Sequence, residues 1–271
     1  MITSNYHTHS TYCDGKNTLE EMVLAAIEKG FTELGFSGHA PSSAYFSWEI
    51  KLDKLNKYKS EVNSLKEKYA DKIKIFLGLE MDYYSPVELA DGCDYTIGSV
   101  HIIKKGDDFL EIDNSKQIQI DDVNKYYNGD FYAYVEDYYA LVADIVAQTK
   151  CDIIGHFDLV TKFNELGDLF DIKHPRYQNA MQSALEALIK TRVPFEINTG
   201  AISRGYRTSS YPEQSILDRI GKAGIPFVIN SDTHSVDTID CNLTLEQERL
   251  DKLGYKYLTT LKDIKQYISS L

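Results

Sequence analysis

Short apolar segments recur along this chain, and most of them are followed by a histidine, a glutamate or an aspartate. Helical patterns separate these segments, so two kinds of element alternate along the sequence. Strands that alternate with helices are joined by crossover connections and form a parallel sheet. About seven or eight such units predict an α/β fold, a closed or distorted (β/α) barrel whose functional side chains lie at the carboxyl ends of the strands. We expect residues 1–271 to form a single domain, because no internal repeat or Pro/Gly-rich linker interrupts the pattern.

The individual elements follow from the apolar spacing and from the signals at their ends. Thr18 and Glu21 have the spacing of a capping box, and Gly30 is typical of a helix C-terminus. We therefore expect the first helix between the capping box and Gly30. The apolar spacing predicts later helices over residues 53–69, 131–149, 175–191, 212–223, 245–253 and from 261 onward. Apolar runs predict strands over residues 2–5, 33–37, 73–79, 95–100, 151–155, 193–198, 225–231 and 255–258. The polar segment 104–130 is expected to be an excursion over the barrel mouth.

A His-x-His pair follows the first predicted strand. His7 and His9 are two residues apart, and alternate residues of a strand share a face. Both rings can therefore reach one point at the exit of the strand, and imidazole is the commonest metal ligand among side chains. Taken alone, such a pair is more often an ordinary pair of surface or loop histidines.

Nine residues of metal-ligand type lie at predicted strand ends or in the loops just beyond them. They are His7, His9, Asp14, His39, Glu80, His101, His156, Asp232 and His234. Any one of them is more often a core, turn or cap residue, but scattered residues have no reason to follow the apolar runs so regularly. Mixed nitrogen and oxygen ligands suit Zn, Mn or Fe(II). A catalytic zinc typically takes three protein ligands, so this set indicates two or three ions, with Glu80 as the natural bridge.

Other residues of ligand type are expected to have different roles. His174 precedes Pro175 at a predicted helix start, so we expect it to be structural or exposed. Cys13 is expected to be a small buried thiol rather than a soft ligand. The four cysteines are widely spaced and form no C-x-x-C motif, which favours a reduced, cytoplasmic setting.

The net charge of −12 limits the partners of the chain. Non-specific binding of nucleic acid depends on clustered Lys and Arg, so we expect no nucleic-acid partner. An anionic small molecule is not excluded, because bound divalent cations can dominate the local field. No apolar run is long enough for a membrane helix, and no signal peptide is expected. The oligomeric state stays open, and a monomer is one possibility.

The motifs as a set resemble the polymerase and histidinol phosphatase (PHP) family of metal-dependent phosphoesterases. The resemblance covers residues 6–234. It rests on Tyr6-His7-Thr8-His9-Ser10, Asp14-Gly15, Ser37-Gly38-His39, Gly78-Leu79-Glu80, Gly98-Ser99-Val100-His101, Gly155-His156 and Ser231-Asp232-Thr233-His234. It implies a distorted (β/α)7 barrel, similar to a TIM barrel, with a trinuclear metal centre. One departure is Gly38, where many relatives have an aspartate; the ligand His39 is unaffected.

The resemblance also implies how the ligands are shared among the ions. The first ion would be held by His7, His9, Glu80 and Asp232, the second by Glu80, His101 and His156, and the third by Asp14, His39 and His234.

For activity, the resemblance implies hydrolysis of a phosphate monoester. It is strongest to the members that convert L-histidinol phosphate to L-histidinol and phosphate in histidine biosynthesis. Metal ions acidify bound water and clamp phosphoryl oxygens, so we expect in-line attack by a metal-bridging hydroxide without a phosphoenzyme. Asp232 or His234 is expected to shuttle the proton of the leaving group, and the choice between them stays open. The candidate phosphate clamps are Arg204 and, as second choice, Arg207, because a guanidinium fork matches phosphate.

Two alternatives accompany this hypothesis. The chain could be a phosphoesterase of the same family that acts on a phosphotyrosine protein, a nucleotide or a nucleic-acid end. It could also be a metal-stabilised accessory domain without turnover. The acidic net charge disfavours a nuclease, and an accessory domain predicts missing ligands, whereas none is missing from the set.

Overall fold

Seven strands pair in parallel and alternate with helices. The computed structural model describes residues 2–271. The strands in these residues are β1 (Ser4–Asn5), β2 (Glu33–Phe36), β3 (Lys74–Asp82), β4 (Tyr95–Ser99), β5 (Ile102–Lys105), β6 (Asp108–Glu111), β7 (Ile153–Ile154), β8 (Phe195–Asn198) and β9 (Phe227–Asn230). The sheet has the order β1-β2-β3-β4-β7-β8-β9, and β5 and β6 form a separate antiparallel hairpin. The strand order of the sheet follows the chain, as in a (β/α) barrel.

The barrel closes just beyond the ends of its first and last strands. Thr8 and Thr233 form a parallel bridge. In this bridge the amide of His9 donates to the carbonyl of Thr233 over 2.9 Å, and the amide of Thr233 donates to the carbonyl of His7 over 3.2 Å. The result is a nearly closed, distorted barrel of seven parallel strands, which confirms the predicted fold class. The closure also brings the loops after β1 and β9 together at the carboxyl end of the barrel.

Helices pack around the strands and connect them. They are α1 (Leu19–Glu28), α2 (Leu52–Lys68), α3 (Lys116–Tyr127), α4 (Phe131–Thr149), α5 (Pro175–Thr191), α6 (Gly200–Ser203), α7 (Gln214–Lys222), α8 (Leu243–Leu253) and α9 (Leu261–Ser269). The capping box predicted for α1 is confirmed, since Thr18 accepts from the amide of Glu21 and the Glu21 carboxylate accepts from the amide of Thr18. The buried face of α1 consists of Leu19, Met22, Val23 and Ala26. This spacing is that of an amphipathic helix packed on a core.

Two predicted elements differ from the structure. The polar segment 104–130 is not a simple excursion, because it contains most of the β5–β6 hairpin and all of α3. Its residues Glu111 and Asp113 do reach the barrel mouth. The predicted strand 255–258 reduces to a single parallel bridge between Phe227 and Tyr257. Farther along, the chain turns to the first strand instead: the amide of Tyr6 donates to the side-chain Oδ1 of Asn230, and Thr233 bridges Thr8.

Other predictions can be compared directly. His174 caps α5 by accepting from the amide of Arg176, and its ring stacks on Tyr132, so the predicted structural role is confirmed. The four cysteines are unpaired thiols. Within residues 2–271, no helix combines the length and the apolar character needed to cross a bilayer.

Candidate metal centre

The structure brings all nine predicted ligand residues together at the carboxyl ends of the barrel strands. They form four overlapping groups in which the ligand atoms lie within 4.8 Å of one another. The groups are His9, Asp14, His39 and His234; His7, His156 and Asp232; His7, His9 and Glu80; and His39, Glu80 and His101. Most of these side chains are buried.

Glu80 lies at the centre of the cluster. It belongs to β3, which continues to Asp82, so Glu80 is inside the strand rather than just beyond it as the sequence predicted. Its Oε2 atom lies 3.1 Å from His7 Nε2 and 3.6 Å from His9 Nε2. The same two nitrogens lie 3.5 and 3.2 Å from Asp232 Oδ1. Two imidazoles and two carboxylates therefore surround one point.

The second oxygen of Glu80 faces a different pair of rings. Glu80 Oε1 lies 3.3 Å from His101 Nε2 and 3.0 Å from His156 Nε2. The two imidazole nitrogens are 3.2 Å apart. The carboxylate of Glu80 therefore lies between two sets of ligand atoms, which is the geometry that a bridging ligand needs.

A third group forms where Asp14 approaches the cluster. Asp14 Oδ2 lies 3.2 Å from His234 Nε2, and Asp14 Oδ1 lies 3.6 Å from His39 Nε2. The other nitrogen of His39, Nδ1, lies 2.9 Å from Glu80 Oε2. His39 therefore connects the third group to the central carboxylate.

Several of these buried atoms have no hydrogen-bond partner among the described residues. They include His7 Nε2, His9 Nε2 and Glu80 Oε2. These atoms approach each other closely, but not in the geometry of a hydrogen bond, and an unsatisfied buried polar atom is destabilising. Ligands bound to one ion at roughly 2.0–2.2 Å lie roughly 3–3.5 Å apart, which matches the observed separations. The donor set therefore fits divalent metal ions.

Electrostatics keep His9 and Glu80 in the form that binds metal. Burial, reinforced by His234 and His39, lowers the pKa of His9 to about 3, so its ring is neutral near pH 7. Burial alone would raise the pKa of Glu80, but His7 and His101 outweigh it and hold that pKa far below the usual value. A neutral imidazole and an ionised carboxylate are the forms that coordinate cations.

Glu196 orients two of the histidines, although the strand-end pattern of the sequence predicts no role for it. Its Oε1 atom lies 2.6 Å from His7 Nδ1, and its Oε2 atom accepts from the amide of His156 over 3.0 Å. Asn198 and Asn230 also donate to it, each over 3.0 Å. A glutamate inside the apolar run of β8, 1% exposed, is the signal that could have identified it.

Asp232 is held by an unusual backbone and by close neighbours. Its φ is +47°, a left-handed conformation that is uncommon outside glycine and often found at functional sites. Arg204 Nη2 donates to its Oδ2 over 3.0 Å. A Cβ atom on Gly200 would lie 2.6 Å from that oxygen, so only glycine leaves room for the carboxylate.

A cavity of about 270 Å³ opens onto the cluster. Six of the candidate ligands line it, with Arg204 beside them, and its other walls are formed by Trp48, Glu111, Asp113, Asn114, Leu159, Lys162 and Tyr206. The structure does not bring Arg207 to this cavity. The Arg207 guanidinium is buried, donates to Thr161 and Ser209, and lies over the ring of Tyr211.

Comparisons with known proteins identify relatives of this chain. The model of the PHP domain matches residues 5–200. A probable histidinol-phosphatase of Deinococcus radiodurans is 30% identical over 272 residues, which cover 96% of this chain and 91% of the relative. The histidinol-phosphatase of Bacillus subtilis is 27% identical over 86% of this chain and 94% of its own.

One of the similar solved structures was determined with ligands bound. It is histidinol phosphate phosphatase from Lactococcus lactis in complex with zinc, L-histidinol and phosphate. It superposes with a TM-score of 0.71 at 22% identity and covers 95% of each chain. At this identity the likeness shows the fold.

Proposed function

This chain belongs to the PHP domain family, and from that membership we propose that it is a metal-dependent phosphomonoesterase that hydrolyses L-histidinol phosphate to L-histidinol and phosphate. The observation that carries the proposal is the position of Glu80, whose two carboxylate oxygens face separate sets of imidazole nitrogens beside a cavity. The names of the relatives support the choice of substrate.

We propose that the ligands hold the ions in the groups that the family resemblance implies. The contacts around Oε2 of Glu80 support a first site, formed by His7, His9, Glu80 and Asp232. Those around Oε1 support a second, formed by Glu80, His101 and His156. The contacts of Asp14 support a third, formed by Asp14, His39 and His234. Zn, Mn and Fe(II) all suit these donors.

Divalent ions at such a site neutralise phosphoryl charge and acidify water. The protein adds the Arg204 guanidinium, which lines the cavity and can present paired N–H groups to phosphoryl oxygens. Its Nη1 atom lies 2.7 Å from His234 Nδ1 and its Nη2 atom donates to Asp232, so the fork is fixed before a substrate arrives.

We propose that Asp232 carries out the proton transfer. Burial raises its pKa, but Arg204 and His7 outweigh burial and keep that pKa far below the usual value, so the side chain is a carboxylate. We propose that this carboxylate accepts a proton from the attacking water as the new P–O bond forms. The ester P–O bond breaks on the opposite side of the phosphorus, where the leaving alkoxide takes a proton from water in the cavity, and Asp232 releases its own proton to solvent. His234 lies beside the fork, with its Nδ1 atom 3.0 Å from the carbonyl oxygen of Asp232.

We propose that residues 1–271 act as one domain. The last helix, α9, supports this view, because Leu261 and Ile264 pack with Tyr6 at the amino end of the barrel. The amide of Leu261 also donates to Glu33 over 3.0 Å, and Tyr6 donates to the same carboxylate oxygen over 2.5 Å.

A substrate panel tests the function. Protein loaded with Zn or Mn is assayed for phosphate release from L-histidinol phosphate, from p-nitrophenyl phosphate and from a dinucleotide phosphodiester. We expect the highest kcat/KM with L-histidinol phosphate. A preference for the diester would instead favour another activity of the family, and no turnover of any compound by metal-loaded protein would overturn the enzyme assignment.

A further inference from the structure

We propose that Glu111, held in place by Trp48, is the specificity-determining residue that receives the ammonium group of a 2-aminoalkyl phosphate. This inference rests on the proposed function and assigns a residue to the part of the substrate that the metal centre does not contact. Glu111 ends β6 and Trp48 lies in the loop after β2, so distant parts of the chain meet in this wall.

The carboxylate of Glu111 is fixed by two neutral donors. Trp48 Nε1 donates to Oε1 over 2.7 Å, and Asn114 Nδ2 donates to Oε2 over 3.1 Å. A carboxylate accepts up to about four hydrogen bonds, so both oxygens retain acceptor capacity toward the cavity. Neither donor neutralises the charge of Glu111.

Glu111 differs from the other carboxylates that line the cavity. Asp14 and Asp232 face imidazoles of the metal centre. Asp113 lies 3.0 Å from Lys162 Nζ, and although burial raises its pKa, Lys162 outweighs burial and holds that pKa below the usual value. Within the part of the chain that the structure describes, no Lys, Arg or His nitrogen lies within 4.0 Å of the Glu111 carboxylate. The cavity therefore presents one negative charge without a protein cation.

Trp48 connects this charge to the metal centre. Its indole ring is 4.8 Å from the His39 ring, edge to face, and 5.6 Å from the His101 ring. A phosphate bound at the metal centre would thus place its alkyl group along the indole, with Glu111 at the far edge. An ammonium near an indole also gains a cation–π interaction. The wall fits a substrate with an anionic end and a cationic end a few bonds apart.

The test compares two substrates that differ only in the ammonium. One is L-histidinol phosphate and the other is its deamino analogue, 3-(imidazol-4-yl)propyl phosphate. A hydrogen bond between charged groups predicts that the wild-type protein prefers the first by roughly 10- to 100-fold in kcat/KM. In Glu111→Gln, which keeps an acceptor for Trp48, we expect this preference to fall to within about threefold. Glu111→Asp should retain part of it, since the charge remains.

Asp107→Asn is the matched control, because Asp107 is exposed in the turn of the same hairpin and does not line the cavity. It should keep the wild-type preference, and a loss equal to that of Glu111→Gln would overturn the proposal in favour of a long-range charge effect. Equal kcat/KM values for the two substrates in the wild-type protein, or an unchanged preference in Glu111→Gln, would also overturn it while leaving the phosphatase assignment intact. Turnover of neither substrate would overturn the proposed function itself.

Discussion

Nδ1 of His7 and Oε1 of Glu196 lie 2.6 Å apart, and neither side chain is exposed to solvent. A carboxylate can only accept, so Nδ1 carries a proton, and Nε2, which faces Glu80, is the nitrogen that becomes free for a metal ion when its own proton is lost. In Glu196→Gln the amide NH₂ would face two of the four donors, and the orientation of His7 would be lost. We expect metal affinity to fall by roughly 10- to 100-fold, measured by titration of the chelated protein.

Glu186→Gln is a suitable control for that experiment. Glu186 is exposed on α5, and its nearest charged neighbour is Arg219 at 3.7 Å. It should bind metal like the wild-type protein. A Glu196→Gln protein with unchanged affinity would show that His7 needs no partner.

Glu80→Gln tests the bridging role of the central carboxylate. The amide has one acceptor oxygen where Glu80 now presents two, to His7 on one side and to His156 on the other. We expect two of the proposed sites to lose ions, and kcat to fall by on the order of 1,000-fold, since metal ions supply several kcal/mol of charge stabilisation. Elemental analysis and phosphate release measure the two effects. Full metal content with wild-type turnover would contradict the bridging role of Glu80. Glu67→Gln, on the exposed face of α2, is the control.

The clustering of the candidate ligands could be predicted from the sequence because strand periodicity constrains their positions. His101 and His156 each follow an apolar run, and every parallel strand of a barrel ends at the same rim. Glu196 could not be assigned a role in this way. It lies inside a strand, and its contact with His7 joins residues 189 positions apart, which only the closed barrel brings together.

The choice between the two arginines shows the same limit. Arg204 and Arg207 are close in sequence, and both follow the short helix α6. Gly205, at φ +74°, turns the chain between them, so that one guanidinium lines the cavity and the other packs on Tyr211. Composition and spacing do not encode that turn. Trp48 and Glu111 likewise meet only through the packing of a loop against a hairpin.

Removal of metal should destabilise the protein, and more so at higher pH. In the metal-free protein burial lowers the pKa of His7, but Glu196 and Glu80 outweigh burial and raise it well above 6.5. A pKa that is raised by folding stabilises the folded state. This contribution is complete when the pH is below the pKa of the unfolded chain, and it is lost as the pH rises through the pKa of the folded protein. Metal binding becomes stronger over the same range because it releases protons.

The corresponding measurement is the melting temperature with and without a chelator. Saturating metal should raise it by about 5–10 °C at neutral pH. As pH rises above 6.5, the ordinary pKa of histidine, the chelated protein should melt at progressively lower temperature. If the difference in melting temperature between the metal-loaded and the chelated protein instead narrows as pH rises, the buried imidazoles are neutral without metal.

Arg204→Ala should mainly raise KM. The guanidinium lines the cavity, and loss of a charged hydrogen bond to phosphate corresponds to roughly a 10- to 100-fold increase. Steady-state kinetics with L-histidinol phosphate separate KM from kcat. Arg207→Ala is the matched comparison, since its buried guanidinium donates to Thr161 away from the cavity. It should lower the melting temperature and leave KM unchanged, and the reverse pattern would exchange the two assignments.

Gly200→Ala tests whether the position of Asp232 is as critical as the geometry suggests. The new Cβ atom would lie 2.6 Å from Asp232 Oδ2 and 2.8 Å from its Cβ atom, so the carboxylate must move away from Arg204. A displacement of about 1 Å in a catalytic group can cost on the order of 100-fold in rate, and we expect that loss in kcat. Overpacking should reduce stability by only about 1–3 kcal/mol, so the protein should still fold.

Ser203→Ala, on the same short helix, removes only a hydroxyl that donates to the carbonyl of Gly200, and it should retain most activity. Wild-type kcat in Gly200→Ala would mean that Asp232 can shift freely, and the role of proton carrier would then pass to another group.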